Sequence, residues 1–263
     1  GGELAFTALL GYETAGRLTI IDQNITVDSG TISVSNANLL DGTTTGTVTA
    51  SIATDSTVDS LATLTGTNNA YTITIAAADA TGSTAAELTA IDNATSVTVD
   101  VSAITSIEGT YGEITALYGS SGVSGFGDES ITITGGSLSV TEANAIDLLT
   151  TGVVTASIAT TETVDSLKTL TGTNNAYTIV ISETSASASD LNAINGLTTA
   201  TVDLTNVTSV TSSALSDLDT LSTAISDQEF INATNLETSA VSDSEIDITS
   251  SEAIIDTLDE IDA

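Results

Sequence analysis

An acidic or amide residue recurs directly after an aliphatic residue in several of the helix-like segments, and its side-chain oxygens could bind a metal ion. The residues at this position are Asp41, Asp92, Asp147 and Asp262, with Asn195 in one further copy. Ca²⁺ prefers carboxylate and carbonyl oxygens, so a column of such residues in successive repeats would suit it. The alternative is structural, because Asp and Asn at helix ends also hydrogen-bond the backbone of turns.

A second candidate for calcium binding lies in the segment Gly125-Phe126-Gly127-Asp128-Glu129. It resembles the glycine–aspartate turns of calcium-binding nonapeptide repeats. In those proteins tandem copies of the turn build the ion sites, whereas this chain has one copy. Asp128 and Glu129 are therefore further candidate metal ligands, and calcium is the one cofactor that the sequence suggests.

The composition argues against an enzyme. General acid–base catalysis commonly uses a group that titrates near neutrality, and the chain has no His and no Cys. Carboxylates alone could serve a glycosidase, but here they are scattered and aromatic residues make up only 3% of the chain. The one triplet typical of aspartic proteases, at 28–30, aligns with Thr134-Gly135-Gly136 in the next copy. We therefore predict no catalytic residue and no cofactor-binding residue.

The net charge restricts the partners of this chain. It has 35 acidic residues against two basic ones, Arg17 and Lys168, which gives a net charge of −33. Binding to nucleic acids or to anionic membranes is not expected, because almost nothing here neutralises phosphate groups. At the ionic strength of seawater the Debye length is about 4 Å, so salt would screen most of the self-repulsion.

The ends of the chain fall inside a repeating pattern. Residues 7–11 resemble residues 115–119, and residues 257–263 resemble residues 88–93. The sequence also contains no Met, so we expect a processed product or a segment of a longer protein. No run of 18 apolar residues is present, so no transmembrane segment is expected.

The pattern repeats at two lengths. Residues 46–75 and 152–181 lie 106 residues apart and are identical at 25 of 30 positions. Within this long repeat, β-branched segments alternate with pairs of aliphatic residues at intervals of about 24 residues. The members of each pair are three residues apart, which places both on one face of a short helix. The pairs are Leu61/Leu64, Leu88/Ile91, Ile114/Leu117, Ile146/Leu149, Leu167/Leu170, Leu191/Ile194, Leu218/Leu221 and Leu258/Ile261.

Further signals predict where these helices begin and end. Three capping boxes precede aliphatic pairs, at Thr84/Glu87, Thr110/Glu113 and Ser139/Glu142. Gly and Asn tolerate the left-handed conformation that ends many helices, and we expect it at Gly66, Asn93, Gly119, Gly172 and Gly196.

The heptapeptide Thr-Gly-Thr-Asn-Asn-Ala-Tyr, at 65–71 and 171–177, is predicted to form the corner that follows a helical turn. Its Gly ends the turn, its two Asn residues shape the corner, and Tyr71 and Tyr177 open the next strand and cover its edge. Lys168 stands where the first copy has Ala62, so we expect its side chain to be exposed.

These patterns predict a repeat solenoid in which parallel β-strands alternate with short helical turns, with about 24 residues in each coil. Each coil would add one strand to a parallel sheet. The alternative is a string of tandem bacterial immunoglobulin-like β-sandwiches of about 100 residues each, which suits the long period but not the helical turns.

We expect one continuous segment over 1–263. It would contain the end of a preceding repeat (1–24), two long units (25–130 and 131–230) and divergent final coils (231–263).

Segments such as 86–109, 116–134 and 189–210 resemble the repeats of very large secreted and cell-surface proteins of marine cyanobacteria. Similar repeats are also expected in the appendages of their phages. The resemblance covers nearly the whole chain and implies an extracellular, extended protein without enzymatic activity. It carries over no functional residues.

The sequence is compatible with two functions. The chain could be a structural repeat segment that builds a rod, a filament or a surface layer by self-association. It could instead be a binding module of an adhesin or phage fibre that recognises a glycan or a cell surface, with calcium as a possible requirement. The divergent stretch at 226–245, which contains the single aromatic residue Phe230, is the part that would suit such a module.

Overall fold

The computed structural model describes residues 8–9, 11–76, 82–211, 213–233 and 236–238. The chain divides into two compact units, 1–132 and 133–263. The predicted helical pair Leu258/Ile261 and the candidate ligand Asp262 lie outside the described residues, as does most of the predicted divergent region.

The first unit alternates short helices with short strands. Its strands are β1 (Ile25–Ile32), β2 (Val48–Ile52), β3 (Ala70–Thr72), β4 (Ser83–Thr84), β5 (Val99–Asp100), β6 (Ser106–Gly109) and β7 (Val123–Ser124). Its helices are α1 (Val34–Asp41), α2 (Val58–Leu61), α3 (Ala85–Asn93) and α4 (Tyr111–Tyr118). Strand β8 (Ser130–Leu138) contains the boundary between the units.

The second unit has the same alternation. Its helices are α5 (Val140–Asp147), α6 (Val164–Leu167), α7 (Ala188–Asn195) and α8 (Leu215–Ser226). Its strands are β9 (Val154–Ile158), β10 (Ala176–Val180), β11 (Ser185–Ala186), β12 (Val202–Asp203), β13 (Ser209–Val210), β14 (Phe230–Ile231) and β15 (Glu237–Thr238).

The prediction of a solenoid is wrong, and so is the alternative of immunoglobulin-like sandwiches. The chain has an α/β fold whose largest sheet has seven parallel strands, in the order β14-β12-β10-β9-β8-β6-β4. Other described strands form the sheets β1-β2-β3, β11-β13-β15 and β5-β7. Sandwiches of the immunoglobulin type are built from antiparallel sheets, whereas the strand pairs here are parallel.

The solenoid prediction failed because it assigned one strand to each repeat. In several repeats the chain instead forms two short strands between helices, as in β5 and β6 or β12 and β13. In these two examples the first strand has two residues, and its last residue is an Asp whose side chain turns the chain. The Oδ1 atom of Asp100 accepts a hydrogen bond from the N–H of Ser102 at 2.9 Å, and that of Asp203 from Thr205 at 2.8 Å. This side-chain turn separates the strands, and they join different sheets.

Aliphatic side chains from the helices form the core of each unit. In the first unit the pairs Leu88/Ile91 and Ile114/Leu117 are at most 2% exposed. In the second unit the pair Leu191/Ile194 and residue Leu218 are fully buried. The helical spacing of these pairs therefore predicted which face of each helix is apolar.

The three predicted capping boxes are confirmed. Thr84, Thr110 and Ser139 are the N-cap residues of α3, α4 and α5, and the Glu at the third helical position hydrogen-bonds back to each cap. These reciprocal bonds satisfy N–H groups that the first turn of a helix otherwise leaves unpaired.

The predicted left-handed helix ends are wrong at three positions. Asn93 is the last residue of helix α3, and its φ is not positive. Gly119 and Gly196 are C-caps with right-handed backbone, at φ −82° and −66°. Their N–H groups donate to carbonyls four residues earlier, at 3.1 Å in both cases, so the last turn closes without a left-handed residue. Gly66 and Gly172 are left-handed, at φ +83° and +86°, but lie in loops beyond the C-caps Ala62 and Lys168.

Replacing Ser139 by Ala should lower the free energy of unfolding by about 1 kcal/mol at neutral pH, the usual cost of losing an N-cap. Hydrogen bonds from the Ser139 backbone and side chain lower the pKa of Glu142. The contribution of Glu142 is therefore present above its ordinary pKa and is lost as the pH falls through the lowered one. Urea denaturation at several pH values should show the difference between wild type and variant shrinking in acid. The control is Thr141→Ala, since Thr141 is exposed on the same helix. An equal effect of both substitutions would contradict the assignment.

Candidate functional site

Two side chains of helix α1 hold the loop that follows helix α2. The Asn38 side chain donates to the Thr63 carbonyl at 2.8 Å, and its Oδ1 atom accepts from the Thr65 N–H at 2.9 Å. One oxygen of Asp41 accepts from the Thr65 hydroxyl at 2.7 Å, and the other accepts from the Asn69 amide at 2.9 Å. We call these four residues, Asn38, Asp41, Thr65 and Asn69, the first clasp.

Asn69 is the buried member of the first clasp, with 2% of its surface exposed. Its Oδ1 atom accepts from the backbone N–H of Val48 in strand β2, at 2.9 Å. Its backbone carbonyl accepts from the N–H of Ser96, after helix α3, at 2.8 Å. Together with its bond to Asp41, Asn69 thus joins segments that belong to three successive repeats.

Gly66 lets the loop pass close to the clasp. Any Cβ atom at this position would overlap with the Oδ1 atom of Asp41 and the Nδ2 atom of Asn69. The positive φ of Gly66 is also one that other residues rarely adopt. Both facts explain why Gly lies between the Thr and the Asn residues of the heptapeptide.

The second unit contains the same arrangement. Asn144 donates to the Thr169 carbonyl and accepts from the Thr171 N–H, both at 2.8 Å. Asp147 accepts from the Thr171 hydroxyl at 2.8 Å and from the Asn175 amide at 2.7 Å, and Asn175 accepts from the Val154 N–H at 2.8 Å. We call Asn144, Asp147, Thr171 and Asn175 the second clasp.

The Tyr residues that end the heptapeptides are buried, which corrects the prediction that they cover a strand edge. Tyr71 and Tyr177 have no exposed surface. The Tyr71 hydroxyl donates to the Ala37 carbonyl at 3.4 Å, and the Tyr177 hydroxyl accepts from Asn175 at 3.0 Å. Burial, together with the negative charges of Asp41 and Asp147, raises the pKa of both phenols.

A third copy of the arrangement is incomplete. Asn192 on α7 donates to the Asp217 carbonyl at 2.9 Å, as Asn38 and Asn144 do to their partners. Its Oδ1 atom is buried without a hydrogen-bond partner, because helix α8 replaces the loop that would supply a donor. Asn195 takes the place of the Asp. Its amide donates a hydrogen bond to Glu229 at 2.5 Å, whereas Asp41 and Asp147 accept hydrogen bonds at this position.

Asp92 also bonds to the following repeat, through a shorter loop. The Ser120 hydroxyl donates to its Oδ2 atom at 2.6 Å. A Cβ atom at Gly122 would overlap with its Oδ1 atom. Asp92 therefore has the same role as Asp41 and Asp147 with a different donor.

Glu129 is the only buried acidic side chain among the described residues, at 2% exposure. It accepts from the N–H groups of Gly127 at 2.8 Å and Asp128 at 3.2 Å, and from the Tyr118 hydroxyl. The Tyr118 ring stacks on Phe126, with ring centroids 4.2 Å apart. Burial and the bond to Glu129 raise the pKa of Tyr118. The Asp128 side chain is exposed.

The structure thus places the candidate calcium ligands in separate hydrogen-bonded positions. Asp41, Asp92 and Asp147 each have donors from the next repeat, and Glu129 has its own. Within the part of the chain that the structure describes, no three acidic side chains lie close enough together to hold a metal ion. Calcium binding at these residues stays a prediction.

Lys168 is not fully exposed as predicted. Its ammonium group contacts Asp165 at 2.9 Å and Asp190 at 2.6 Å, and its side chain is 30% exposed. Hydrogen bonds to Asp190 and then to Asp165 raise its pKa.

Sequence reasoning missed Asn38, Asn144 and the donors in the loops. The available signal was an Asn three residues before the recurring Asp, in both long repeats, followed 24 residues after the Asp by Thr-Gly-Thr-Asn-Asn. The spacing of three puts Asn and Asp on one helix face, toward one loop.

No protein-family model, curated protein or solved structure matches this chain. The roles of its residues are therefore inferred from comparison between its own repeats. Among the described helices, none combines the length and the apolar character needed to cross a lipid bilayer.

Replacing Asn69 by Ala should lower the free energy of unfolding by roughly 2–4 kcal/mol, because buried groups that lose their partners cost about 1–3 kcal/mol each. The Val48 N–H would remain buried without its acceptor. Chemical denaturation followed by circular dichroism measures the change. The matched control is Asn68→Ala, since Asn68 is the exposed neighbour. If both variants were equally stable, Asn69 would have no special role.

Proposed function

We propose that this chain is a non-enzymatic structural segment of an extracellular surface protein that self-associates or continues into further repeats. The observation that carries the proposal is the pair of clasps. In both long repeats the same four kinds of side chain fasten one repeat to the next, with distances that agree within 0.2 Å.

We assign the repeated polar residues to holding adjacent repeats together and not to catalysis. The carboxylates of Asp41 and Asp147 each accept two side-chain hydrogen bonds, and bonds to a charged acceptor are stronger than neutral ones. The buried Glu129 likewise accepts from backbone and phenol donors. The oxygens of these carboxylates are thus bound to donors of the chain itself, which supports a structural role.

The charge and the sheet edges support self-association in salt. The net charge of −33 repels other copies at low ionic strength and is screened at high ionic strength. Among the described strands, β4 and β14 lie at the two ends of the seven-stranded sheet. The outer edge of an end strand offers unpaired N–H and C=O groups to another chain.

Association should therefore increase with salt. Sedimentation velocity of the 263-residue chain should show monomers in dilute buffer and larger species at about 0.5 M NaCl, where the Debye length is about 4 Å. Immunogold labelling of intact source cells should place the protein on the surface. Monomers at every salt concentration would contradict self-association, and labelling only after permeabilisation would contradict the location.

One observation favours a second candidate, a glycan-binding module of an adhesin or phage fibre. A cavity of about 310 Å³ in the second unit is lined by polar side chains, which include Asn192, Asn195, Thr220, Thr223, Asp227 and Glu229. Asn192 lines this cavity together with the amide, hydroxyl and carboxylate groups that hydrogen-bond the hydroxyls of sugars.

If this second candidate is right, wild type should bind members of a glycan array and Asn192→Ala should lose that binding. Thr205→Ala is the control, because Thr205 is exposed outside the cavity. Absence of binding by the wild type, or equal binding by Asn192→Ala, would contradict it.

A further inference from the structure

Part of the surface of the second unit carries no charged side chain, although the chain has a net charge of −33. This surface consists of three loops, 148–153, 171–174 and 196–201, which follow helices α5, α6 and α7. None of these residues is Asp, Glu, Lys or Arg, and all of them are exposed or half-buried. We call these three loops the neutral strip.

The three loops of the neutral strip are held together by hydrogen bonds. Asp147, directly before the first loop, accepts from the Thr171 hydroxyl of the second loop at 2.8 Å. Val154, directly after the first loop, donates to the side chain of Asn175 at 2.8 Å. The carbonyl of Asn175 accepts from the N–H of Thr199 in the third loop, also at 2.8 Å. The neutral strip is therefore one continuous surface.

The first loop of the neutral strip has aliphatic side chains at positions where the first unit has Gly or Thr. The three exchanged pairs, 106 residues apart, are Gly42/Leu148, Thr43/Leu149 and Thr47/Val153. Leu148 is 85% exposed, the largest value for a bulky apolar residue in the described part of the chain, and Val153 is 37% exposed. Single apolar residues on a surface are normal, whereas apolar residues that lie together mark an interaction surface.

We propose that the neutral strip packs against the neutral strip of a second copy of this chain, with the two Leu148 side chains in contact at a two-fold axis. This contact is a specific form of the self-association proposed above and rests on it. Two chains with a net charge of −33 repel each other, so they approach most easily where neither carries charge. The neutral strip is such a surface on both copies, and a two-fold axis brings the same patch of each together.

Acidic side chains at the border of the neutral strip make the contact depend on salt. Asp147 directly precedes the first loop. Glu229 accepts a hydrogen bond at 2.5 Å from Asn195, which directly precedes the third loop. Repulsion between the borders of two copies weakens as salt screens these carboxylates, so the dimer should form at high ionic strength.

Single Cys substitutions test the contact, because the chain has no Cys of its own. At about 0.5 M NaCl, where screening is strong, Leu148→Cys in the 263-residue chain should form a disulfide-linked dimer with oxidised glutathione. The reason is that packing at the axis brings the two copies of residue 148 within the roughly 7 Å between Cα atoms that a disulfide spans. The matched control is Leu39→Cys, since Leu39 is 49% exposed on helix α1 and lies outside the neutral strip. It should remain monomeric.

Truncation of the same two leucines measures the contribution of the apolar contact. Leu148→Ala should raise the dissociation constant of the dimer roughly tenfold in sedimentation velocity at the same salt, because buried aliphatic surface is lost. Leu39→Ala should leave the dissociation constant unchanged.

Transfer of the aliphatic residues to the first unit should create a second strip. Gly42 has a right-handed backbone at φ −68°, and a Cβ atom there would lie 3.4 Å from the Asn38 carbonyl oxygen, an ordinary contact. Gly42→Leu combined with Thr47→Val should therefore be tolerated, and association should begin at a lower salt concentration than in wild type. Association at the same salt concentration would contradict the role of these side chains.

The remaining outcomes separate the neutral strip from self-association in general. Equal cross-linking of Leu148→Cys and Leu39→Cys, or unchanged association of Leu148→Ala, would overturn the proposed contact. If wild type still formed larger species in salt, self-association through another surface would stand. Selective cross-linking of Leu148→Cys without species beyond a dimer would support the contact and contradict extended assembly. Monomeric wild type at every salt concentration without any cross-linking would overturn both.

Discussion

Asn69 and Asn175 impose the most demanding constraint in this fold, because a buried amide needs a partner for its donor and for its acceptor. Each takes its donor bond to an Asp on an earlier helix and its acceptor bond from the first residue of a strand segment, Val48 or Val154. The identities of the residues around these two Asn side chains follow from that requirement. The loop must carry Gly where it passes the carboxylate, and the helix must present Asp at its last position.

Apolar packing alone would leave the register between repeats poorly defined. The core is made of small aliphatic side chains, and aromatic residues are only 3% of the chain. Hydrophobic attraction is not directional, and similar aliphatic layers would tolerate a shift by one repeat. The clasps are directional, since each hydrogen bond pairs one named donor with one acceptor. We infer that aliphatic burial supplies most of the stabilisation and the clasps select the register.

Local signals in the sequence predicted the helix starts well. The capping boxes at Thr84, Thr110 and Ser139 form as expected, because their bonds span three residues. Interactions across longer spans were missed. The aspartates were read as calcium ligands or turn residues, whereas their donors lie in loops 24 to 28 residues later. The sequence predicts Tyr71 at a strand edge, but the residue is buried against helix α1. Its hydroxyl donates a hydrogen bond to the Ala37 carbonyl of that helix.

The sequence by itself determined the repeat lengths, the apolar faces of the helices, the helix starts and the strong negative charge. The charge depends on residue type alone, the helix faces and starts depend on spacing within one turn of chain, and the repeat lengths follow from comparing the sequence with itself. Only the tertiary structure decided how the strands divide among sheets, and which carboxylates the Lys168 ammonium contacts. Sheet membership depends on where Asp100 and Asp203 turn the chain toward distant partners. The Lys168 contacts join helices that are 22 residues apart in sequence, a distance over which no local pattern specifies a partner.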